Sequence, residues 1–364
     1  MIRKITKPVL IGPYTIGGGG RVLIQSMTNT RTSDAQATLS QIRALADAGC
    51  DIVRCTVSDN DDARALYQIK ESSPIPVVAD IHFDYRLAIA AAEAGADKIR
   101  INPGNIGSDD RVAAVCRVCR EKKIPIRVGI NSGSVEKEIL NKYGAPTAEA
   151  LCESAIKAAR LLERFDFYDI VISAKSSDVV TTIMTNRLLS AQTDYPIHIG
   201  VTESGTERAG VIRSSAGIGS LLCDGIGDTI RISLSADPVK EIEAARILMA
   251  ACGLRGAETV EIIACPTCGR TRVPVMEIAA ELEKRIAAAK LKPKRRIRVA
   301  VMGCAVNGPG EAREADAGIA GGDGEALLFR KGKIIEKISC RDGSQSASNR
   351  LMEEIRRIIE EDNG

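Results

Sequence analysis

Eight short segments rich in β-branched residues alternate with alanine- and leucine-rich segments of helical periodicity between residues 22 and 235. Such strict alternation predicts parallel strands joined by helices, and eight units are the number that closes a (β/α)8 TIM barrel. A doubly wound open sheet is the alternative, but no G-x-G-x-x-G dinucleotide fingerprint follows an early strand. The predicted strands are Val22–Met27, Asp51–Val57, Pro76–Ile81, Lys98–Asn102, Ile126–Ile130, Asp169–Ser173, Ile197–Val201 and Thr229–Leu234.

Three of these units share a short internal repeat: a helix-ending glycine, an aspartate that opens the strand, and an arginine three residues later. The repeats are Gly49–Arg54, Gly95–Arg100 and Gly225–Arg231. The common offset predicts that the three arginines lie at one height towards the carboxyl end of the barrel, where barrel enzymes keep their active sites. The alternative is that one of the arginines pairs with a glutamate on the outer helices.

Other predicted strand ends also carry polar side chains, namely Asp80, His82, Asn102, Arg127, Asn131, Lys175, Glu203 and Ser233. Together with the repeated arginines they supply five cations against two or three acids. A barrel mouth so biased towards positive charge predicts a polyanionic ligand, and guanidinium groups suit phosphate oxygens.

Two residues at this mouth are candidates for acid–base chemistry. His82 lies at a strand end beside Asp80, which favours contact with a substrate over simple packing in the core. Glu203 is a carboxylate in a cationic setting and can act as an acid or a base near substrate hydroxyls. The alternative role of Glu203 is to neutralise a neighbouring arginine in the empty site.

After Gly253 the regular alternation of strands and helices stops. The sequence predicts a barrel over residues 1–255, followed by a smaller α+β domain over residues 256–364. Two predicted strands of this domain each end in a cysteine-bearing loop, CPTCGR with Cys265 and Cys268, and MGCAVNGPGE with Cys304. Three converging thiolates select zinc or an iron–sulfur cluster. Cys340 is the conventional fourth ligand. The other C-x-x-C pair, at positions 116 and 119, lies in mid-helix and predicts core packing.

The motifs CPTCGR and MGCAVNGPGEA, with the long sequence before them, resemble the 4-hydroxy-3-methylbut-2-enyl diphosphate synthases, bacterial enzymes of isoprenoid synthesis. The resemblance extends over essentially all 364 residues. In that family three cysteines and one glutamate hold a [4Fe–4S] cluster. The matching positions here are Cys265, Cys268, Cys304 and Glu311, so the resemblance implies Glu311 as fourth ligand where the residues alone would suggest Cys340.

The resemblance also implies a reaction: reductive ring opening of 2-C-methyl-D-erythritol 2,4-cyclodiphosphate, with two electrons from ferredoxin or flavodoxin. The cationic residues of the barrel match positions that hold the substrate diphosphate. In the family a homodimer forms, and the cluster domain of one subunit closes on the barrel of the other. The residues alone leave open a non-redox phosphoester-binding barrel whose tail holds structural zinc.

Composition excludes several other classes of protein. A net charge of only +3 gives little attraction for the phosphates of a nucleic acid, and four Phe and no Trp leave few aromatic rings on which bases can stack. No apolar run approaches the ~20 residues that a membrane span requires. Eleven cysteines without a recognisable export signal predict a cytoplasmic protein whose thiols are reduced or metal-bound.

Overall fold

The computed structural model of the protein describes residues 2–254, 259–289, 291, 293–304, 314–322, 325–340 and 344–363. The chain divides into two compact units, Met1–Gly256 and Ala257–Gly364. No helix among the described residues is both long enough and apolar enough to cross a bilayer.

The first unit contains a closed parallel barrel, so the predicted TIM barrel is confirmed. A short antiparallel hairpin comes first and eight barrel strands follow. In chain order the strands are β1 Val9–Ile11, β2 Tyr14–Ile16, β3 Leu23–Met27, β4 Ile52–Thr56, β5 Val77–Asp80, β6 Lys98–Ile101, β7 Ile126–Asn131, β8 Ile170–Lys175, β9 His198–Ile199 and β10 Thr229–Ile230. A parallel bridge from Ile172 to Ile197 joins β8 to the residue before β9 and closes the ring.

Helices follow the barrel strands and cover the outside of the ring. They are α1 Ala35–Ala48, α2 Asn60–Ser72, α3 Tyr85–Glu93, α4 Pro103–Ile106, α5 Asp109–Glu121, α6 Lys137–Tyr143, α7 Ala148–Glu163, α8 Val179–Gln192, α9 Glu207–Cys223 and α10 Pro238–Ala251. Aspartates cap several of them by accepting hydrogen bonds from first-turn N–H groups, as Asp34 does for α1 and Asp237 for α10. Gly49 ends α1 at φ 103°, the left-handed conformation expected from the repeat.

The hairpin closes the lower end of the barrel. Val9, Ile11 and Ile16 of the hairpin are buried against apolar barrel residues such as Leu23 and Val171. Side chains alternate between the two faces of a strand, so the inward positions above this apolar layer come two residues later along each strand. On the four strands that contribute to this layer those positions are polar, namely Gln25, Arg54, Asp80 and Ser173. The barrel therefore has an apolar floor and a polar upper interior.

The described residues of the second unit form a five-stranded sheet and two helices. Its elements are β11 Val260–Ala264, α11 Val275–Ala289, β12 Ile297–Met302, β13 Ala317–Gly321, β14 Glu325–Arg330, β15 Lys333–Ser339 and α12 Gln345–Asn363. The strands lie in chain order across the sheet; β11 to β13 are parallel, and the last two pairings are antiparallel. Apolar residues of both helices, including Ile278 and Leu351, pack with strand residues such as Val299 into one core.

A cationic pocket and a cysteine-bearing sheet edge

A small polar pocket of ≈ 90 Å³ lies at the carboxyl end of the barrel strands. Nine of the residues predicted from strand ends and repeats line it, together with two that sequence reasoning missed, Ser173 and Thr202. The lining residues are Arg54, Asp80, His82, Arg100, Arg127, Asn131, Ser173, Lys175, Thr202, Arg231 and Ser233. Ser173 lies two residues before Lys175 on the same strand. Because side chains alternate between the two faces of a strand, the sequence already indicated that both point into the barrel.

One buried carboxylate holds two of the repeated arginines. Oδ1 of Asp80 lies 3.1 Å from Nη1 of Arg100, and Oδ2 lies 3.5 Å from Nε of Arg54. Burial alone would raise the pKa of Asp80, but the two guanidinium groups outweigh it and lower the pKa to about 2. Because the folded pKa lies below the unfolded one, Asp80 stabilises the barrel above pH ~4, and this contribution is lost as the pH falls towards 2. His82 Nε2 lies 3.4 Å from Arg100 Nη1.

The third repeated arginine has its own carboxylate. Arg231 donates from Nε and Nη2 to the two oxygens of Glu241 on α10, at 3.2 Å each. The alternative considered for the repeat, an arginine paired with an outer-helix glutamate, therefore holds for Arg231, although this arginine also lines the pocket. Its Nη1 lies 3.6 Å from the sulfur of Met27, which also accepts from Arg54.

Two further cations of the pocket have no carboxylate. Arg127 and Lys175 are 1% and 8% exposed, and among the described residues neither forms an ion pair with an acid. Nε and Nη1 of Arg127 have no hydrogen-bond partner in the described part of the chain. Lys175 Nζ lies 3.1 Å from Nε2 of His198. Desolvation, and then the charge of Arg127, hold the pKa of Lys175 well below its usual value. Because a buried charge without a counter-charge is costly, an anion bound in the pocket would stabilise Arg127 and the protonated form of Lys175.

Glycines at two positions leave room for the long side chains of Arg100 and Lys175. A Cβ at Gly129 would lie 2.6 Å from Nε of Arg100, and one at Gly200 would lie 2.8 Å from Nζ of Lys175. Below them Lys98 is fully buried, and its Nζ has no hydrogen-bond partner among the residues that the structure describes. Desolvation lowers the pKa of Lys98 well below the usual value. Sequence reasoning missed Lys98, although it occupies the inward position two residues before Arg100.

Two predicted site residues lie outside the pocket lining. Asn102 is buried, and its Oδ1 accepts a hydrogen bond from the N–H of Gly104 and so caps α4. Glu203 is exposed in the loop after β9, directly after the lining residue Thr202. Its φ of 51° is a conformation that costs energy for a residue other than glycine, and such strain concentrates at functional loops.

The cysteine loops of the second unit run side by side at one edge of its sheet. Cys265 directly follows β11, and its N–H donates to the carbonyl of Val301 at 2.9 Å. At the far end of the same loop, the N–H of Arg272 donates to the carbonyl of Gly303 at 2.8 Å. These two hydrogen bonds hold the CPTCGR loop against the segment that leads to Cys304. All three predicted cysteine ligands therefore lie at this edge of the sheet.

The exposed thiol of Cys268 has a lowered pKa. Hydrogen bonds from the backbone and side chain of Arg270 lower its pKa and favour the thiolate, the form that binds metals. Among the residues that the structure describes, no three Cys, His, Asp or Glu side chains are close enough together to hold a metal ion. The fourth ligand implied by the resemblance, Glu311, lies outside the described residues.

Other cysteines have the character of core residues. Cys340 follows β15, which β13 and β14 separate from β12, a distance of about 14 Å at the usual strand spacing. Its thiol is buried in the core, and burial raises its pKa. Cys116 and Cys119 are buried on α5, and desolvation raises both pKa values to about 12. The prediction that this C-x-x-C pair packs in the core is confirmed.

Comparison with known proteins covers both units. The model of the GcpE TIM-barrel domain matches residues 6–246, and that of the GcpE protein C-terminal domain matches residues 261–357. A protein of Clostridium perfringens is 55% identical over 360 residues, and one of Caldanaerobacter subterraneus is 52% identical over 361, each match covering 99% of both chains. A Bacillus subtilis protein is 54% identical over 336 residues, 92% of this chain and 88% of its own. All three are named 4-hydroxy-3-methylbut-2-en-1-yl diphosphate synthase (flavodoxin), and the chain belongs to the GcpE family.

Proposed function

We propose that this protein is a cytoplasmic enzyme of isoprenoid synthesis that reduces 2-C-methyl-D-erythritol 2,4-cyclodiphosphate to (E)-4-hydroxy-3-methylbut-2-enyl diphosphate. The ring C–O bond to phosphate breaks and a hydroxyl leaves as water, so the reaction consumes two electrons and two protons. The observation that carries the proposal is the buried cationic pocket at the barrel mouth, in a chain whose relatives of 51–55% identity bear this activity in their names.

The pocket binds the diphosphate through two kinds of cation. Arg127 and Lys175, which pair with no carboxylate among the described residues, receive the phosphate oxygens and gain a counter-charge from them. Arg54 and Arg100 are already oriented by Asp80, so binding costs them little side-chain entropy. Asp80 itself repels phosphate and therefore acts by holding these two arginines.

Smaller polar groups complete the contacts with the substrate. Asn131 and Ser233 line the same pocket and supply hydrogen bonds to the sugar or phosphate oxygens. Asn102 shapes the turn that begins α4 and contributes through that turn. His82 and Glu203, at the ends of β5 and β9, are the groups that exchange protons with the substrate hydroxyls.

We infer that Cys265, Cys268, Cys304 and Glu311 hold a [4Fe–4S] cluster. The described part of the donor set fits such a group, because the three thiols emerge from adjacent, hydrogen-bonded loops and one of them has a lowered pKa. When bound, the cluster would supply the two electrons of the reaction, received singly from flavodoxin, and Glu311 would be its oxygen ligand beside the three thiolates. The distance and burial of Cys340 argue against it as the fourth ligand.

Reduction of the cyclodiphosphate tests this proposal directly. Anaerobically purified protein supplied with reduced flavodoxin should be brown, contain iron and sulfide, and form the linear diphosphate. The structural-zinc alternative predicts a colourless protein that binds phosphoesters without reducing them. Iron-loaded protein that receives electrons from flavodoxin but forms no product would contradict the proposed reaction.

Replacing Arg127 with methionine should weaken substrate binding without unfolding the barrel. A charge-assisted hydrogen bond contributes about 1.5–3 kcal/mol, so the Kd for the cyclodiphosphate should rise roughly 10- to 150-fold. The thermal midpoint should stay the same or rise, because methionine removes an unpaired buried charge at similar volume. Isothermal titration and thermal unfolding measure the two effects, with exposed Arg117→Met as the matched control. An unchanged Kd in Arg127→Met would place the anion elsewhere.

Binding of the diphosphate should be accompanied by proton uptake at Lys175. Burial and neighbouring cations lower the pKa of this lysine in the empty pocket, and the negative charge of the ligand raises it again. At a pH between the two values a proton is therefore taken up on binding. Titrations in buffers of different ionisation enthalpy count these protons, and the uptake should disappear in Lys175→Met but persist in the exposed control Lys122→Met. Uptake that persists in Lys175→Met would assign the proton to another group.

The two units are proposed to cooperate across a homodimer, in which the cluster unit of one subunit closes on the barrel of its partner. This arrangement is the one that the family resemblance implies. It brings together a phosphate pocket and a cluster that belong to different units of the chain.

A further inference from the structure

Glu241 is a buried acid on an outer helix whose four hydrogen bonds converge from three separate segments. It lies in the first turn of α10 and is 3% exposed. Oε2 accepts from Oγ of Ser26 at 2.7 Å and from Nε of Arg231 at 3.2 Å. Oε1 accepts from Nη2 of Arg231 at 3.2 Å and from the N–H of Leu234 at 3.1 Å. The carboxylate therefore ties β3, the end of β10 and the following loop to α10.

The contact with Arg231 is a two-point contact, and it restricts how the guanidinium can turn. Binding through Nε and Nη2 fixes the plane of the group, because the donors of arginine form a rigid fork. The third nitrogen, Nη1, is not bound by Glu241 and lies beside the sulfur of Met27. Arg231 nevertheless lines the anion pocket. Nη1 carries two N–H groups and directs one of them at Met27, so it retains an N–H for a ligand.

We propose that Glu241 is a positioning residue for the substrate: it holds Arg231 so that one edge of the guanidinium faces the diphosphate before the ligand arrives. The inference rests on the proposed function and deepens it, since it adds a residue that acts through Arg231 without touching the substrate. The pocket then has two orienting carboxylates, Asp80 for Arg54 and Arg100, and Glu241 for Arg231.

Positioning and charge neutralisation have opposite consequences for binding. If Glu241 only neutralised Arg231, its removal would make the pocket more positive, and anions would bind more tightly. If Glu241 positions Arg231, its removal frees a side chain that must be ordered again at each binding event, and anions bind more weakly. Glutamine cannot replace the carboxylate, because its NH₂ group would face N–H or O–H donors in place of an acceptor.

The test compares Glu241→Gln with Glu243→Gln, an exposed glutamate on the same helix that pairs with Lys240. The Kd for the cyclodiphosphate and for inorganic pyrophosphate should rise about tenfold to a hundredfold in Glu241→Gln and stay unchanged in Glu243→Gln. KM should rise while kcat changes little, because Arg231 contacts a part of the substrate that is bound before and during the reaction. Tighter or unchanged binding in folded Glu241→Gln would overturn the proposal.

A double substitution shows whether Glu241 acts through Arg231. In an Arg231→Met background, Glu241→Gln should cause little further loss of affinity, because the group that it positions is already absent. An equal loss in both backgrounds would overturn the proposal. If Glu241→Gln fails to fold, Ser26→Ala removes one anchor of the same carboxylate and should raise the Kd severalfold; no change there would also overturn it. Pyrophosphate binding keeps this test separate from turnover, so wild-type protein that binds pyrophosphate but forms no product would refute the proposed function alone.

Discussion

Replacing Cys265 with serine is expected to abolish turnover and to remove the visible absorption of anaerobically purified protein. A serine hydroxyl is a far poorer ligand for iron than a thiolate, and the loop that presents Cys265 is fastened to β12, so no other thiol can take its place easily. The same loss is expected for Cys268→Ser and Cys304→Ser. Iron and sulfide determination, the visible spectrum and the rate with reduced flavodoxin measure the effect.

The matched control is Cys340→Ala. Its thiol is buried in the core of the same unit, so the substitution should lower thermal stability slightly and leave iron, sulfide and turnover intact. Glu311→Ala, by contrast, should damage the cluster. A full complement of iron and sulfide in Cys304→Ser, or loss of the cluster only in Cys340→Ala, would contradict the ligand assignment.

Two inactive variants are expected to restore activity to each other when they form a heterodimer. One subunit carries Cys265→Ser, and the other carries Arg127→Met together with Lys175→Met. If closure occurs across the dimer, one composite site contains both lesions and the other contains none, so activity should approach about half that of the wild-type dimer. Differently tagged subunits, copurified anaerobically and assayed with reduced flavodoxin, provide the measurement.

Closure within one subunit gives the opposite result, because every site would then carry one lesion. The control is each variant as a homodimer, which should stay at background. The barrel variant must also retain its iron and sulfide, as its substitutions lie in the other unit. Background activity from a purified, iron-containing heterodimer would rule out closure across the dimer.

The barrel and most of its pocket could be predicted because the relevant signals are local. Strand and helix periodicity specify each unit. The Gly–Asp–Arg offset places Arg54 and Arg100 at inward positions on β4 and β6, the two strands that flank β5 and its Asp80. The β1–β2 hairpin has no comparable signal in the sequence, because its strands are three residues each and show no useful alternation of apolar and polar residues. β13 has the sequence AGIAG, whose small residues have weak strand propensity. Its burial between two neighbouring strands, which the sequence does not reveal, offsets that weakness.

Glu241 shows a different limit on sequence reasoning. Its hydrogen bond to Ser26 joins residues 215 positions apart, and its pairing with Arg231 runs from an outer helix to the end of a strand. The sequence pattern showed a glutamate in the first turn of a helix, which is ordinary because the helix dipole favours acids there. Only the closing of the ring, which brings β3 and β10 together, gives that glutamate its partners.

The apolar floor built by the N-terminal hairpin closes the pocket at its inner end. Val9, Ile11 and Ile16 fill the space through which a ligand would otherwise pass. Substrate must therefore enter, and water and the linear diphosphate must leave, by one shared route. The product keeps the diphosphate that the cations are proposed to bind, so it should compete with the next substrate molecule for an empty barrel. Accumulated product should accordingly act as a competitive inhibitor, and the rate of its departure sets an upper limit on how fast the enzyme can cycle.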